Sequence, residues 1–128
     1  MRIRGVRGAT TVNFDQPDEV IEATQELLKT IISQNPGLKL DEIASAFFTV
    51  TEDLASVHPA LAARRMGWDS VPMICATEIP VPSSLPKCIR VLIHWNTDVE
   101  QKQIKHVYLR GAVTLRPDLV ADKKEESL

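Results

Sequence analysis

PDEVIEATQELLKTIISQNPG, residues 17–37, is the most regular stretch of this chain. Val20, Ile21, Thr24, Leu27, Leu28, Ile31 and Ile32 recur at helical spacing along one stripe. Glu22, Gln25, Glu26 and Lys29 fall on the opposite face, which reads as a solvated surface. Pro17 suits a first helical turn, and Asp18 and Glu19 suit the positive end of the helix dipole. Asn35-Pro36-Gly37 then stops the helix. The reading is an amphipathic helix of about eighteen residues with a single apolar face. Such a helix must cover another element.

The flanking segments supply strands for it to cover. Toward the N-terminus, Arg2 to Val12 (RIRGVRGATTV) alternates in character and ends in β-branched residues, as a strand and its exit would. Gly5 and Gly8 interrupt it, and a glycine inside a strand marks a bulge or a close approach by a neighbour. Toward the C-terminus, Ile43 to Thr51 reads as a buried strand, although Asp41 and Glu42 just before it favour helix. Pro59 to Met66 reads as a short Ala-rich helix ended by Gly67. Val71 to Ile79 and Cys88 to Trp95 are further buried strands, joined by a stiff loop with Pro80, Pro82 and Pro86. Val107 to Leu115 is another apolar stretch, ended by Arg116-Pro117-Asp118. The pattern predicts one α/β (α+β) domain over residues 1–119, a mixed sheet with one long helix against it. A charged C-terminal tail, residues 120–128, is expected to fray.

Composition narrows the function classes. The 128 residues suit one domain. With 15 basic and 17 acidic residues and no basic stripe with interleaved aromatics, a nucleic-acid partner is not expected. No apolar run approaches a membrane span, and the start Met1-Arg2-Ile3-Arg4 lacks the apolar core of a signal peptide, so the expectation is a cytoplasmic protein without a membrane partner. Cys75 and Cys88 are then expected to stay reduced. His58, His94 and His106 are far apart and lack ligand spacing, so no metal site is expected.

Polar residues inside buried strands are the candidates for chemistry. Arg7 follows Val6 in the first strand, Glu78 lies three positions after Cys75, and Arg90 stands between Ile89 and Val91. A buried charge is costly unless it is paired or binds a charge. From residue type alone, a structural Arg90–Glu78 pair, or an arginine on an exposed face, is the more economical account. Tyr108 reads by default as a packed aromatic with a wet hydroxyl, Cys75 as a small core residue, and Arg64 and Arg65 as solvated. No Gly-x-Ser-x-Gly, Walker loop or dinucleotide fingerprint is present, so covalent and cofactor-borne chemistries have no visible support.

Taken together, RGVRGATTV before a long helix, then KCIRVLIHWNTD, then HVYLRGAVTLRPDL, resembles the monofunctional chorismate mutases of the trimeric pseudo-α/β-barrel class. The resemblance runs from about Arg2 to Leu119 in the same order and spacing, and the combination of Arg7, Glu78 after Cys75, Arg90 and Tyr108 reverses the economical account. It implies a mixed five-stranded sheet per subunit, three subunits around a common core, and no cofactor. It implies isomerisation of chorismate to prephenate, on the way to phenylalanine and tyrosine, in clefts between subunits. One subunit would supply Arg7, Cys75, Glu78, Arg90 and Tyr108, with Ile74, Leu115 and Arg116 also at the substrate. The neighbour would lend the short helix region carrying His58, Ala60 and Arg64.

Departures from the family pattern fall on the lent wall. His58 stands where an aromatic is expected, Leu61 where a charged residue is common, and Ile74 where some relatives have a smaller polar residue. Two rival readings are a trimeric imine deaminase-like enzyme, whose C-terminal signature is missing here, and a non-catalytic trimer that binds a small anion.

Overall fold

The computed structural model describes residues 1–115. In chain order the elements are β1 (Arg2–Thr11), α1 (Pro17–Gln34), β2 (Ile43–Val50), α2 (Ala60–Arg65), β3 (Met73–Thr77), β4 (Cys88–Thr97) and β5 (Val107–Tyr108). Short 3₁₀ turns at Leu40–Glu42, Gln101–Gln103 and Arg110–Thr114 link them. The five strands form one sheet in the order β3-β2-β4-β1-β5. β4 runs antiparallel to both β1 and β2, while β5 joins β1, and β3 joins β2, in parallel. The mixed five-stranded sheet is the expected one. No helix among the described residues is long and apolar enough to cross a membrane.

α1 follows its apolar stripe: Pro17 opens it, and Leu27, Leu28 and Ile31 are fully buried against Val6, Phe48, Val91 and Ile93. Burying each such side chain contributes roughly 1.5–3 kcal/mol, as an upper bound. The glycine at position 8 is explained by this contact. A Cβ there would stand 2.7 Å from Ile31 Cδ1 and 3.1 Å from Leu27 Cδ1, so a larger residue would force these α1 side chains to shift. β1 itself has no bulge, since its register with β4 is unbroken from Arg2↔Thr97 to Thr11↔Cys88. The irregularity lies in β2 instead, between Ile43 and Ser45.

Several boundaries differ from the sequence reading for local reasons. The ambiguity before β2 resolves as a 3₁₀ turn, Leu40–Glu42. β3 begins at Met73, because the Val71 amide closes a turn onto the Trp68 carbonyl and Pro72 has no donor. The short helix starts at Ala60, with Pro59 as its N-cap residue. β5 is only two residues long, and the apolar stretch after it coils into the turn Arg110–Thr114.

Strand pairing assigns the two faces of the sheet. Directly paired residues share a face. Ala9 pairs with Arg90 and Tyr108, Arg7 with Leu92, Leu92 with Phe47, Arg90 with Thr49, and Phe47 with Ile74. These residues occupy the face that α1 does not cover.

Candidate active site

The uncovered face carries a cleft of about 390 Å³ lined by Arg7, Thr49, Glu78, Arg90, Tyr108 and Leu115, with Phe47 and Leu92 as apolar wall. Its volume suits a small organic molecule. Arg90 reaches it from β4 because strand alternation turns its neighbours Ile89 and Val91 into the core. Arg7 reaches it from β1 by the same alternation, between buried Val6 and Gly8. Glu78 follows β3, and its amide donates to the Val50 carbonyl at 2.8 Å, which directs the side chain back over the sheet.

Arg90 Nε lies 3.9 Å from Glu78 Oε1, and the two side chains are 44% and 27% exposed. That separation exceeds a hydrogen bond. A part-exposed pair of this kind contributes about 0–1 kcal/mol to stability, so it does not explain why two charges sit here. Arg90 also approaches Cys88. Burial pushes the Cys88 thiol up from its ordinary range, while the charge and hydrogen bond of Arg90 pull the other way. The thiol of Cys88 is therefore a protonated core group rather than a nucleophile. Two arginines against one carboxylate leave the cleft with an excess of positive charge, which suits an anion with two acidic groups.

Sequence reasoning missed His106. Its Nδ1 accepts the Arg7 backbone N–H at 2.9 Å, fixing the strand that presents Arg7. Nothing in the residue types around His106 signals this, because the contact spans 99 positions. Asn35 was also read only as a helix stop. Its buried side chain donates to the Ile31 and Lys105 carbonyls and accepts from the Lys105 amide, all at 2.9 Å, tying the end of α1 to the approach to β5.

Cys75 lies apart from this cleft within one chain. It pairs with Phe48, which pairs with Val91, which pairs with Gly8, and that row faces α1. Cys75 therefore does not join Arg90 within one chain. It lines a second hollow, of about 430 Å³, together with Glu52, Leu54, Ser56, His58 and Pro59. The two hollows share no lining residue. Ile74 is 60% exposed on the Phe47 side of β3 and lines neither. Arg64 is exposed at the end of α2, whereas Ala60 is buried in the core, so its methyl lines no open surface. Arg116 lies outside the described residues, as does the 119/120 boundary. Among the described residues no three His, Cys, Asp or Glu side chains converge to hold a metal ion.

Known proteins of one family resemble this chain over most of its length. The profile of the chorismate mutase type I family matches residues 3–119. The chain is 53% identical to chorismate mutase AroH of Thermus thermophilus over 117 residues, which is 91% of this chain and 96% of that protein. It is 46% identical to chorismate mutase AroH of Bacillus subtilis (strain 168) over 127 residues, covering 98% and 99% of the two. The solved structure of a chorismate mutase from Clostridium thermocellum superposes with a TM-score of 0.84 at 54% identity, over 86% of this chain and 97% of that one.

Proposed function

Since this chain belongs to the chorismate mutase type I family, an isomerase family, we propose that it converts chorismate to prephenate in the cleft of Arg7 and Arg90, completed by a neighbouring copy. The observation that carries the reading is the convergence of Arg7, Glu78, Arg90 and Tyr108 on the uncovered sheet face, with its excess of positive charge.

Chorismate is a dianion, and its rearrangement breaks a C–O bond while a C–C bond forms in one concerted step. No base or nucleophile is needed. The enzyme has two tasks, holding the enolpyruvyl arm over the ring and stabilising negative charge that grows on the ether oxygen. Arg90 donates to the ether oxygen and a carboxylate, a double task that its planar fork suits. Arg7 clamps the side-chain carboxylate, and the Tyr108 hydroxyl adds a hydrogen bond to it. Glu78 binds the ring hydroxyl and stands near the ring as positive character develops there. Leu115 closes one wall, and Arg116 is assigned to the substrate by the family resemblance alone.

The neighbouring copy supplies Cys75 to the ring hydroxyl, together with Ile74, His58, the backbone at Ala60, and Arg64 at the mouth. This division differs from the first expectation in moving Cys75 and Ile74 to the neighbour. For Cys75 it is supported by the separation of the two hollows on one chain; Ile74 is moved with it as its neighbour in β3. Three copies then form a homotrimer around their uncovered faces, each a single domain over residues 1–119 with a tail at 120–128, working in the cytoplasm on the route to phenylalanine and tyrosine.

The test is direct. Purified protein treated with a chelator is expected to consume chorismate and release prephenate in equal amounts. Loss of turnover on chelation, or chorismate bound without product, would overturn the reading, the second outcome favouring an anion-binding trimer.

A further inference from the structure

Arg110 adopts a left-handed backbone conformation, with φ at 53°. A side-chain-bearing residue holds that conformation only where its surroundings enforce it. Here the enforcing contacts all come from behind the sheet edge. Arg110 Nε donates to Glu26 Oε1 at 3.3 Å and Nη1 to the Thr11 carbonyl at 3.5 Å, and the Gly111 amide donates to Thr11 Oγ1 at 3.0 Å. A Cβ at Gly111 would stand 2.9 Å from that same oxygen, so the turn is seated directly on Thr11. Ala112 is fully buried beneath it. The Ala112 amide then closes onto the Leu109 carbonyl, and the Leu115 amide onto the Ala112 carbonyl, each at 3.0 Å.

The consequence lies on the other side of the turn. The chain leaves the cleft at Tyr108 and returns to it at Leu115. The path through Arg110 to Thr114 carries the backbone to Leu115, whose side chain then packs against Ala9, Cys88 and Ala112. Glu26, on the polar face of α1 that sequence reasoning left as merely solvated, lines no part of the cleft.

We propose that Arg110, paired with Glu26, is a positioning residue that locks this turn so that Leu115 forms a ready-made wall for the substrate. The inference rests on reading the cleft as the chorismate site. A pre-formed wall lowers the ordering cost at binding, so its effect belongs in capture rather than in the chemical step. The pair is 35% and 49% exposed. Its loss therefore shifts the docked population modestly, and KM is expected to rise about two- to fivefold.

The experiment compares Arg110→Gly, Glu26→Gln and the exchanged pair Glu26→Arg with Arg110→Glu. Glycine adopts a positive φ without strain, so Arg110→Gly removes the contact while sparing the fold. Both single changes are expected to raise KM for chorismate with kcat and melting temperature unchanged, and the exchanged pair is expected to bring KM back. Without substrate, amide exchange at Ala112 and Leu115 is expected to quicken in both single variants. The inference is overturned if exchange and KM stay as in the parent, or if KM rises only together with lost melting temperature and the exchanged pair fails to restore it. Exchange is read on the free protein, so a failure of the chorismate reading leaves that result standing.

Discussion

Arg90 is half exposed on a strand whose next residues in either direction are buried. A long, part-exposed contact with Glu78 contributes too little to folding to explain the arrangement. The residue is better understood through what its guanidinium can donate to a bound dianion. Replacing Arg90 with citrulline keeps the planar shape and removes the charge. The expected outcome is a folded protein that still binds chorismate but loses about 3 kcal/mol of transition-state stabilisation, more than a hundredfold in kcat at saturating substrate. Arg90→Lys keeps the charge and loses the fork, and is expected to fail by a similar factor. A folded citrulline variant with near-normal kcat would contradict the electrostatic role. Unfolding of either variant, rescued by a doubly apolar replacement of Arg90 and Glu78, would instead mark a structural pair.

Single elements owe their placement to contacts that differ in how far they reach along the chain. The loop from Leu54 to Ser56, which leads to His58 and α2, is held by Asp15, two residues before α1. Its carboxylate accepts from the Ala55 amide at 3.0 Å and the Ser56 amide at 3.1 Å. Hydrogen bonding, first from the Ser56 side chain and then from the Ala55 amide, holds the Asp15 carboxyl below the usual 3.8. A lowered folded-state pKa means the ionised form stabilises this loop. The contribution is present above the usual carboxylate value and is lost as pH falls through the lower folded one. Asp15→Asn is thus expected to loosen the loop at neutral pH, read as faster amide exchange at Ala55 and Ser56, and to remove the loop's own acid sensitivity. Unchanged exchange would contradict this anchor. Legibility follows the same distinction of range. α1 was readable because its stripe and its stops are local, and Gly8 signalled a close approach. The sharing of one face by Arg7 and Arg90 depends on a pairing between positions more than eighty apart. The parity of Cys75 depends on its register with Phe48, which no local signal sets, so its separation from Arg90 within one chain was not legible in the sequence. His106, Asn35 and Arg110 act through contacts of 70 positions or more and were invisible for the same reason.

At the scale of the whole molecule, the proposed reading makes one chain an incomplete enzyme. Its arginine face leaves Phe47, Ile74 and Leu92 substantially exposed, an apolar group beside a charged cleft that a second copy would cover. Its second hollow, with Cys75 and His58, holds none of the residues of the arginine cleft. A closed, head-to-tail ring of identical chains joins the two kinds of surface without leaving either unpaired. The most direct measurement separates the two surfaces genetically and recombines them. Arg90→Ala disables the arginine face, and Arg64→Glu places a like charge against the substrate on the neighbour's face; each trimer alone is expected to turn over poorly. When equal amounts are dissociated and reassembled together, about a quarter of the sites combine an intact Arg90 from one chain with an intact Arg64 from the next. The account predicts that turnover of the mixture rises to about that fraction of the parent enzyme. A mixture no more active than the average of the two variants would contradict it, because both residues would then serve a site within one chain.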